Sequence, residues 1–217
     1  MDFTTMLAML TEGFGVTLQI FICTLIGALP LGVVVALCRM SRFVILSAIT
    51  RVYISIMRGT PLMLQLMFIY FAPWYIFGIR LSTEWEFGAT IVAFVLNYSA
   101  YFAEIYRSGI QSIPIGQREA AQVLGYSRTQ TFLKIIMPQV IKRIIPAMGN
   151  EIIVLVKDTS LAFTIGVAEL FTTARAIVSS QGVLTAFIVA AAFYWVFTFV
   201  VEIIISRVEK RLSYYHD

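Results

Sequence analysis

The chain has 217 residues, of which 59% are hydrophobic and only 13% charged, with a mean hydropathy of +0.87. A soluble domain would carry about a quarter charged residues, so the composition excludes a water-soluble globular protein and specifies an integral membrane one. The formal net charge of +4 comes from basic residues that flank apolar spans, which speaks of topology and not of a nucleic-acid partner.

Three further features narrow the chemistry. Cys23 and Cys38 stand fifteen positions apart in one apolar segment. On a helix that separation is roughly 22 Å, beyond the reach of a disulfide, so both read as lipid- or core-facing fillers. His216 is the only histidine and lies at the C-terminus, so no histidine-based metal or catalytic site is expected. The first apolar run is too long for a cleavable signal peptide and lacks a basic start.

In chain order, residues 1–12 carry Asp2 and Glu12 but no Lys or Arg. A first span is predicted at about residues 13–38, with Pro30 and Gly32 as a kink. Arg39, Arg42 and Arg51 follow. A second span covers about residues 62–79 and is entered through Arg58-Gly59-Thr60-Pro61, where the threonine reads as a cap and the proline as the first helical turn. The segment 80–86 is mostly acidic, and a third span takes about residues 87–106. A long polar stretch then ends near Lys142, Arg143 and Pro146. A fourth span covers about residues 147–170, interrupted by Lys157, Asp158, Thr159 and Ser160. After a short loop, a fifth span runs over about residues 183–205. Each is near the ~20 residues that cross a hydrocarbon layer.

Positive residues concentrate on the cytoplasmic side of membrane proteins. With the N-terminus outside, Arg39, Arg42, Arg51, Arg58, Arg107, Arg118, Arg128, Lys134, Lys142, Arg143, Arg207, Lys210 and Arg211 all fall inside, and only Arg80 and Arg175 outside. Five spans, N-terminus out and C-terminus in, are therefore expected, and the polar stretch is cytoplasmic. No duplicated halves are visible, so the inverted-repeat plan of many secondary transporters is not evident.

The cytoplasmic stretch 117–138 is orderly. Pro114 precedes a short helical run, as proline does in a first turn. Gly125 breaks that run. Ser127 and Gln130 have capping-box spacing for a second helix, which Pro138 is expected to stop. Two short helices on one membrane face make a docking surface. No Gly-Lys pair occurs, so the chain has no phosphate-binding loop. It also lacks a Gly-x-Ser-x-Gly elbow and a His-Glu-x-x-His motif, and it does not read as an enzyme.

Glu119-Ala120-Ala121, three residues, Gly125, nine residues, then Ile135 and Pro138 resembles the EAA motif of ATP-binding-cassette (ABC) importer permeases. Met137 stands where leucine is usual, a volume-conserving exchange. Met57-Arg58-Gly59-Thr60-Pro61 with Gln65, Ala103-Glu104-Ile105 with Arg107 and Gly109, and Lys157-Asp158-Thr159-Ser160-Leu161 extend the resemblance over about residues 10–212, to the polar amino acid uptake permeases of the histidine, glutamine and arginine type.

That resemblance implies an all-α membrane domain, 1–217, of the type I importer permease kind in a bacterial cytoplasmic membrane. Its coupling loop, about 108–142, would seat in a groove of a separate ATPase through Arg118, Glu119, Ala120, Ala121 and Gly125. ATP and magnesium would lie on two such ATPase subunits and no cofactor on this chain. A second permease subunit, as a homodimer, and an extracytoplasmic amino-acid-binding protein complete the assembly. The physics of the loop agrees: two alanines permit close approach, Glu119 suits a helix start, and Gly125 permits a sharp exit. The alternative is a secondary transporter or channel without an ATPase partner.

Polar residues inside spans are functional candidates. Asn97, Tyr101 and Glu104 recur at helical spacing on the third span. With Gln65 and with Asp158, Thr159 and Ser160 of the fourth, they are expected to bound a small hydrophilic pocket. Glu104 and Asp158 would suit an ammonium or guanidinium group of a basic amino acid such as arginine, lysine or histidine. Structural roles compete: Glu104 can pair with Arg107 one turn away, and Asp158 can cap a break. Glu151 and Glu169 read as water-facing or subunit-interface groups. Trp74, Tyr75, Trp85, Tyr194 and Trp195 read as belt or packing residues.

Overall fold

A computed structural model describes residues 2–212; His216 lies outside them. Every regular element among the described residues is helical. Helix α1, Phe3–Arg39, runs 37 residues without interruption, about 55 Å at 1.5 Å per residue. It begins well before residue 13 and is longer than the hydrocarbon layer. Gly32 serves contact: a Cβ there would lie 2.9 Å from that of Phe102 and 3.3 Å from the Ser99 carbonyl oxygen, so α1 meets the central helix backbone to backbone.

That central helix is α4, Thr83–Gln111. Phe94, Tyr98 and Phe102 are buried in a core completed by Ile20, Ala28, Leu66, Leu155 and Ala162. Ser82 caps its start by accepting the Trp85 amide. The last helix, α9, Thr185–Leu212, lies at the rim with Ile188, Trp195 and Phe199 turned outward.

Between α1 and α4 the chain departs from the expected loop plus straight span. Residues 44–59 form α2, Val44–Gly59, and α3 follows as Leu62–Phe77. The two are bent 111° at the Thr60–Pro61 break. Pro61, not Thr60, sits at the N-cap of α3, and no side chain caps that end. The Thr60 hydroxyl instead donates back to the Ile56 carbonyl at 2.8 Å. Proline fixes its own φ and pushes the preceding residue out of the helical region, so one rod becomes two.

The second half shows the same habit. Pro138 does not end the second loop helix. Residues 128–131 form a short helix, residues 132–136 a π turn, and α7, Met137–Asp158, continues directly. Pro138 lies inside a continuous helical rod and has no amide to return to the preceding turn; the wider π turn just before it accommodates the missing bond. The helix tightens into a 3₁₀ segment, Thr159–Ile165, ends at Gly166, and is followed at a 55° bend by α8, Leu170–Gln181, where a loop was expected. In this numbering α5 is Ile115–Val123 and α6 is Arg128–Thr131. Three helices are long and apolar enough to cross a membrane singly, and five crossings result when each bent pair counts as one.

Glu169 is buried, against the water-facing expectation. Its carboxylate caps α8, accepting the amides of Phe171 and Thr172 at 2.7 Å each, the Thr172 hydroxyl at 2.9 Å and the Tyr194 hydroxyl at 2.9 Å. Thr17 of α1 accepts the preceding amide, that of Leu170, at 3.2 Å. Replacing Glu169 with alanine orphans these donors and should lower stability by about 1–3 kcal/mol. Glu169→Gln should lose less, because its amide oxygen still accepts. Thermal unfolding in detergent compares the two, and equal losses would refute the capping role.

Candidate functional site

Two regions carry the candidate residues. The first is the polar loop between α4 and α7. After α4 ends, Pro114 occupies the N-cap of α5. Gly125 adopts φ +78°, which residues with a Cβ rarely do, while nothing lies within 4 Å of where its Cβ would be. The demand for glycine is therefore conformational and not steric. The Tyr126 amide donates to the Ala121 carbonyl and the Gly125 amide to that of Gln122, each at 3.0 Å, the paired bonds of a Schellman ending. Ser127 and Gln130 form both bonds of the capping box, at 3.2 and 2.9 Å.

Arg118, Glu119 and Ala120 are exposed on α5, but Ala121 is 1% exposed. It packs the loop on itself and is corrected from docking surface to support, because helical spacing turns it to the opposite face from Glu119. The outer face has members that the sequence reading omitted: Ile115, Val123 and Leu124 are 72%, 89% and 74% exposed. Apolar side chains so presented among polar ones mark an interaction surface. The four-residue spacing of Ile115 and Val123 on either side of Glu119 was the available signal; Leu124 is the C-cap that follows.

The second region surrounds the α2–α3 break. In an unbroken helix the Met57 carbonyl would accept from the amide of residue 61, which is proline and has none. Side chains replace it: Asn97 Nδ2 donates to Met57 O at 2.9 Å and Gln65 Nε2 at 3.0 Å. Asn97 also donates to Gln65 Oε1 at 2.9 Å, and Gln65 reaches the Thr60 carbonyl and hydroxyl at 3.1 and 2.8 Å. The structure thus joins Gln65 and Asn97 as a buried latch on the break.

The other pocket residues separate from this latch. Glu104 forms an ion pair with Arg107, three residues on. Thr159 is buried and, like Ser160, donates to its own helix, to Val156 O and Lys157 O at 2.7 Å. Tyr101 and Asp158 belong to a charged cluster. Tyr98 donates to Asp158 Oδ2 at 2.7 Å, and the Arg58 guanidinium lies over the Tyr101 ring, 5.2 Å from its centroid. Half-buried Glu151 feels the charges of both Arg58 and Asp158. Arg58 is therefore beside α4 and not in a free loop. Glu151 stands two helical turns before Asp158, on the same face of α7, a spacing that could have singled it out.

The chain matches the family model described as the binding-protein-dependent transport system inner membrane component, over residues 28–214. It is 37% identical to the glutamine transport system permease protein of Escherichia coli K12, with 94% of this chain and 93% of that protein covered. It is 36% identical to the arginine transport system permease of Bacillus subtilis 168, covering 93% and 91%. Identity to the L-cystine transport system permease of the same organism is 38%, covering 95% and 87%. The crystal structure of an amino acid ABC transporter with histidines superposes with a TM-score of 0.87 at 35% identity, over 97% of this chain and 99% of that one. A methionine ABC transporter shares the fold, with a TM-score of 0.73 at 17% identity.

The chain belongs to the binding-protein-dependent transport system inner membrane components. It is a non-catalytic ABC permease subunit, in a family whose ATPase is a separate chain. Its relatives carry amino acids by name, and its EAA motif and coupling helix fit the family.

The latch generates a test. Gln65→Leu and Asn97→Leu should each lower stability by about 1–3 kcal/mol. Because both share the Met57 carbonyl and each other, the double variant should depart from additivity by roughly 0.5 kcal/mol or more. Denaturation of the four proteins measures the coupling, and strict additivity would contradict the shared acceptor.

Proposed function

We propose that this chain is the membrane subunit of an importer for polar, preferentially basic, L-amino acids in a bacterial cytoplasmic membrane. Its N-terminus is outside and its C-terminus inside. Two copies form the path, an extracytoplasmic binding protein delivers the solute, and two ATPase subunits bearing ATP and magnesium grip the loops. The observation that carries the reading is the apolar and acidic face of α5, held rigid between Pro114 and the Gly125 turn. Closure of the ATPase pair moves these loops as rigid bodies, and the spans alternate between outward and inward access.

The cluster around the α2–α3 break suits an amino acid. Arg58 matches an α-carboxylate, while Asp158 and Glu151 match ammonium or guanidinium groups. Glu151 and Asp158 give the cluster two carboxylates to receive a basic side chain, with Arg58 near the first and Lys157 near the second. Tyr101 offers a ring to a cation. Latch residues Gln65 and Asn97 hold the break open beside this cluster, and Thr159 and Ser160 set the 3₁₀ turn that follows Asp158. Glu104, paired to Arg107, guards the inner end.

Two measurements test this in the reconstituted complex. Arginine and lysine should stimulate ATP hydrolysis more than glutamate does, and Asp158→Asn should raise the half-saturating concentration of a basic substrate roughly tenfold, as loss of a charge-assisted hydrogen bond would. A preference for acidic substrates, or an unchanged half-saturation, would refute the site. Glu119→Ala and Gly125→Ala should uncouple hydrolysis from uptake, the latter through a left-handed strain of about 1–2 kcal/mol. Normal coupling in both would refute the docking role.

A further inference from the structure

The helical hydrogen-bond ladder of α4 cannot pass into α5. Its last rung runs from the Ser112 amide to the Ser108 carbonyl at 2.9 Å, and the next ladder starts with the Gln117 amide on the Pro114 carbonyl at 3.1 Å. Pro114 has no amide with which to bridge the gap. Helix α5 packs against α6 and the π turn. A push on α5 therefore enters α7 directly, through a helical rod that is continuous from Arg128, whereas the backbone path from α5 to α4 runs through the non-helical residues 112–114.

One side chain closes this open joint. Arg143, on α7, donates through Nη1 to the Ser112 carbonyl at 2.5 Å and to the Ser112 hydroxyl at 3.2 Å. The hydroxyl in turn donates to the Gly109 carbonyl at 2.7 Å. A cation thus satisfies the terminal carbonyl of α4 and complements the negative end of that helix. Around it the two limbs are already in contact. A Cβ on Gly109 would stand 2.2 Å from Ile144 Cγ2, and Ile113 is buried with Ile136 and Val140.

We propose that Arg143 is a positioning residue for energy coupling: it locks the two ends of the cytoplasmic loop together, so that motion imposed on α5 reaches α4 and α7 as one body. The consequence lies in the charged cluster. Four of its five members are on those two helices, Tyr98 and Tyr101 on α4 and Glu151 and Asp158 on α7, with Arg58 of α2 the fifth. With the joint locked they move together; with it open, α7 moves and α4 lags. This role rests on the reading of α5 as the helix that the ATPase grips.

The test is the number of ATP molecules hydrolysed per amino acid imported, in proteoliposomes containing the full complex, with Gly125→Ala measured alongside. Arg143→Ala should raise that ratio roughly threefold to tenfold, a charged donor having been removed, while the ATPase subunit co-purifies as before. Arg143→Lys should restore most of the coupling. Ser112→Ala should stay near wild type, because the carbonyl that Arg143 grips remains. If Arg143→Ala does not assemble, Arg143→Gln carries the same measurement, with a smaller rise expected.

A wild-type ratio in the Arg143 variant beside a raised ratio in Gly125→Ala would overturn the lock and leave α5 as the coupling helix. Wild-type ratios in both would overturn the coupling reading itself. Hydrolysis and uptake falling in parallel, with their ratio unchanged, would also overturn the lock, since that is the mark of a merely structural arginine.

Discussion

A buried carbonyl released from its helix must find another donor, and much of this protein can be traced to how such groups are satisfied. Pro61 removes the amide that Met57 would have used. The chain answers with two buried amides from α3 and α4, and the break becomes a fixed corner. The corner places Arg58 over Tyr101, within electrostatic reach of Glu151. A break in one span thereby sets the geometry of a charged cluster on three helices.

The same constraint recurs at the other irregular points. Glu169 takes the free amides at the start of α8, and Thr17 takes another from across the bundle. In the polar loop Ser127 and Gln130 cap the second helix, and Arg143 takes the end of α4. Each device is a short-range bond with a long-range result, because the elements it joins are helices that transmit displacement along their length. The loop proposed to face an ATPase and the cluster proposed to face the solute are joined by α4 and α7, the cluster lying midway along α4 and at the far end of α7.

How much of this was legible in advance follows from which forces are local. The EAA spacing, the capping box and the glycine turn are written in consecutive residues, so α5 and its exit could be read directly. Glu104 with Arg107, one turn apart, was likewise readable as a pair. Gln65 and Asn97 could be picked out as polar residues in apolar spans. Their purpose could not, since they are 32 positions apart and meet only after α3 folds back on α4. Glu169 was misjudged because a carboxylate near a span end looks solvated until a second helix covers it. Ala121 was misassigned because smallness suits either face of a helix. Helix α2 was overlooked because its arginines read as loop charge, and Pro138 was read as a stop because a π turn leaves no signature in residue types.

The sequence by itself determined that the protein is a multi-pass helical membrane chain and that an ordered polar loop has the spacing of a coupling motif. These depend on composition and on intervals of a few residues. The tertiary structure decided which polar side chains meet and which carbonyls they serve. It also decided which face of the loop is open. These depend on contacts between residues tens of positions apart, where burial converts an isolated amide or carboxylate into a required partner.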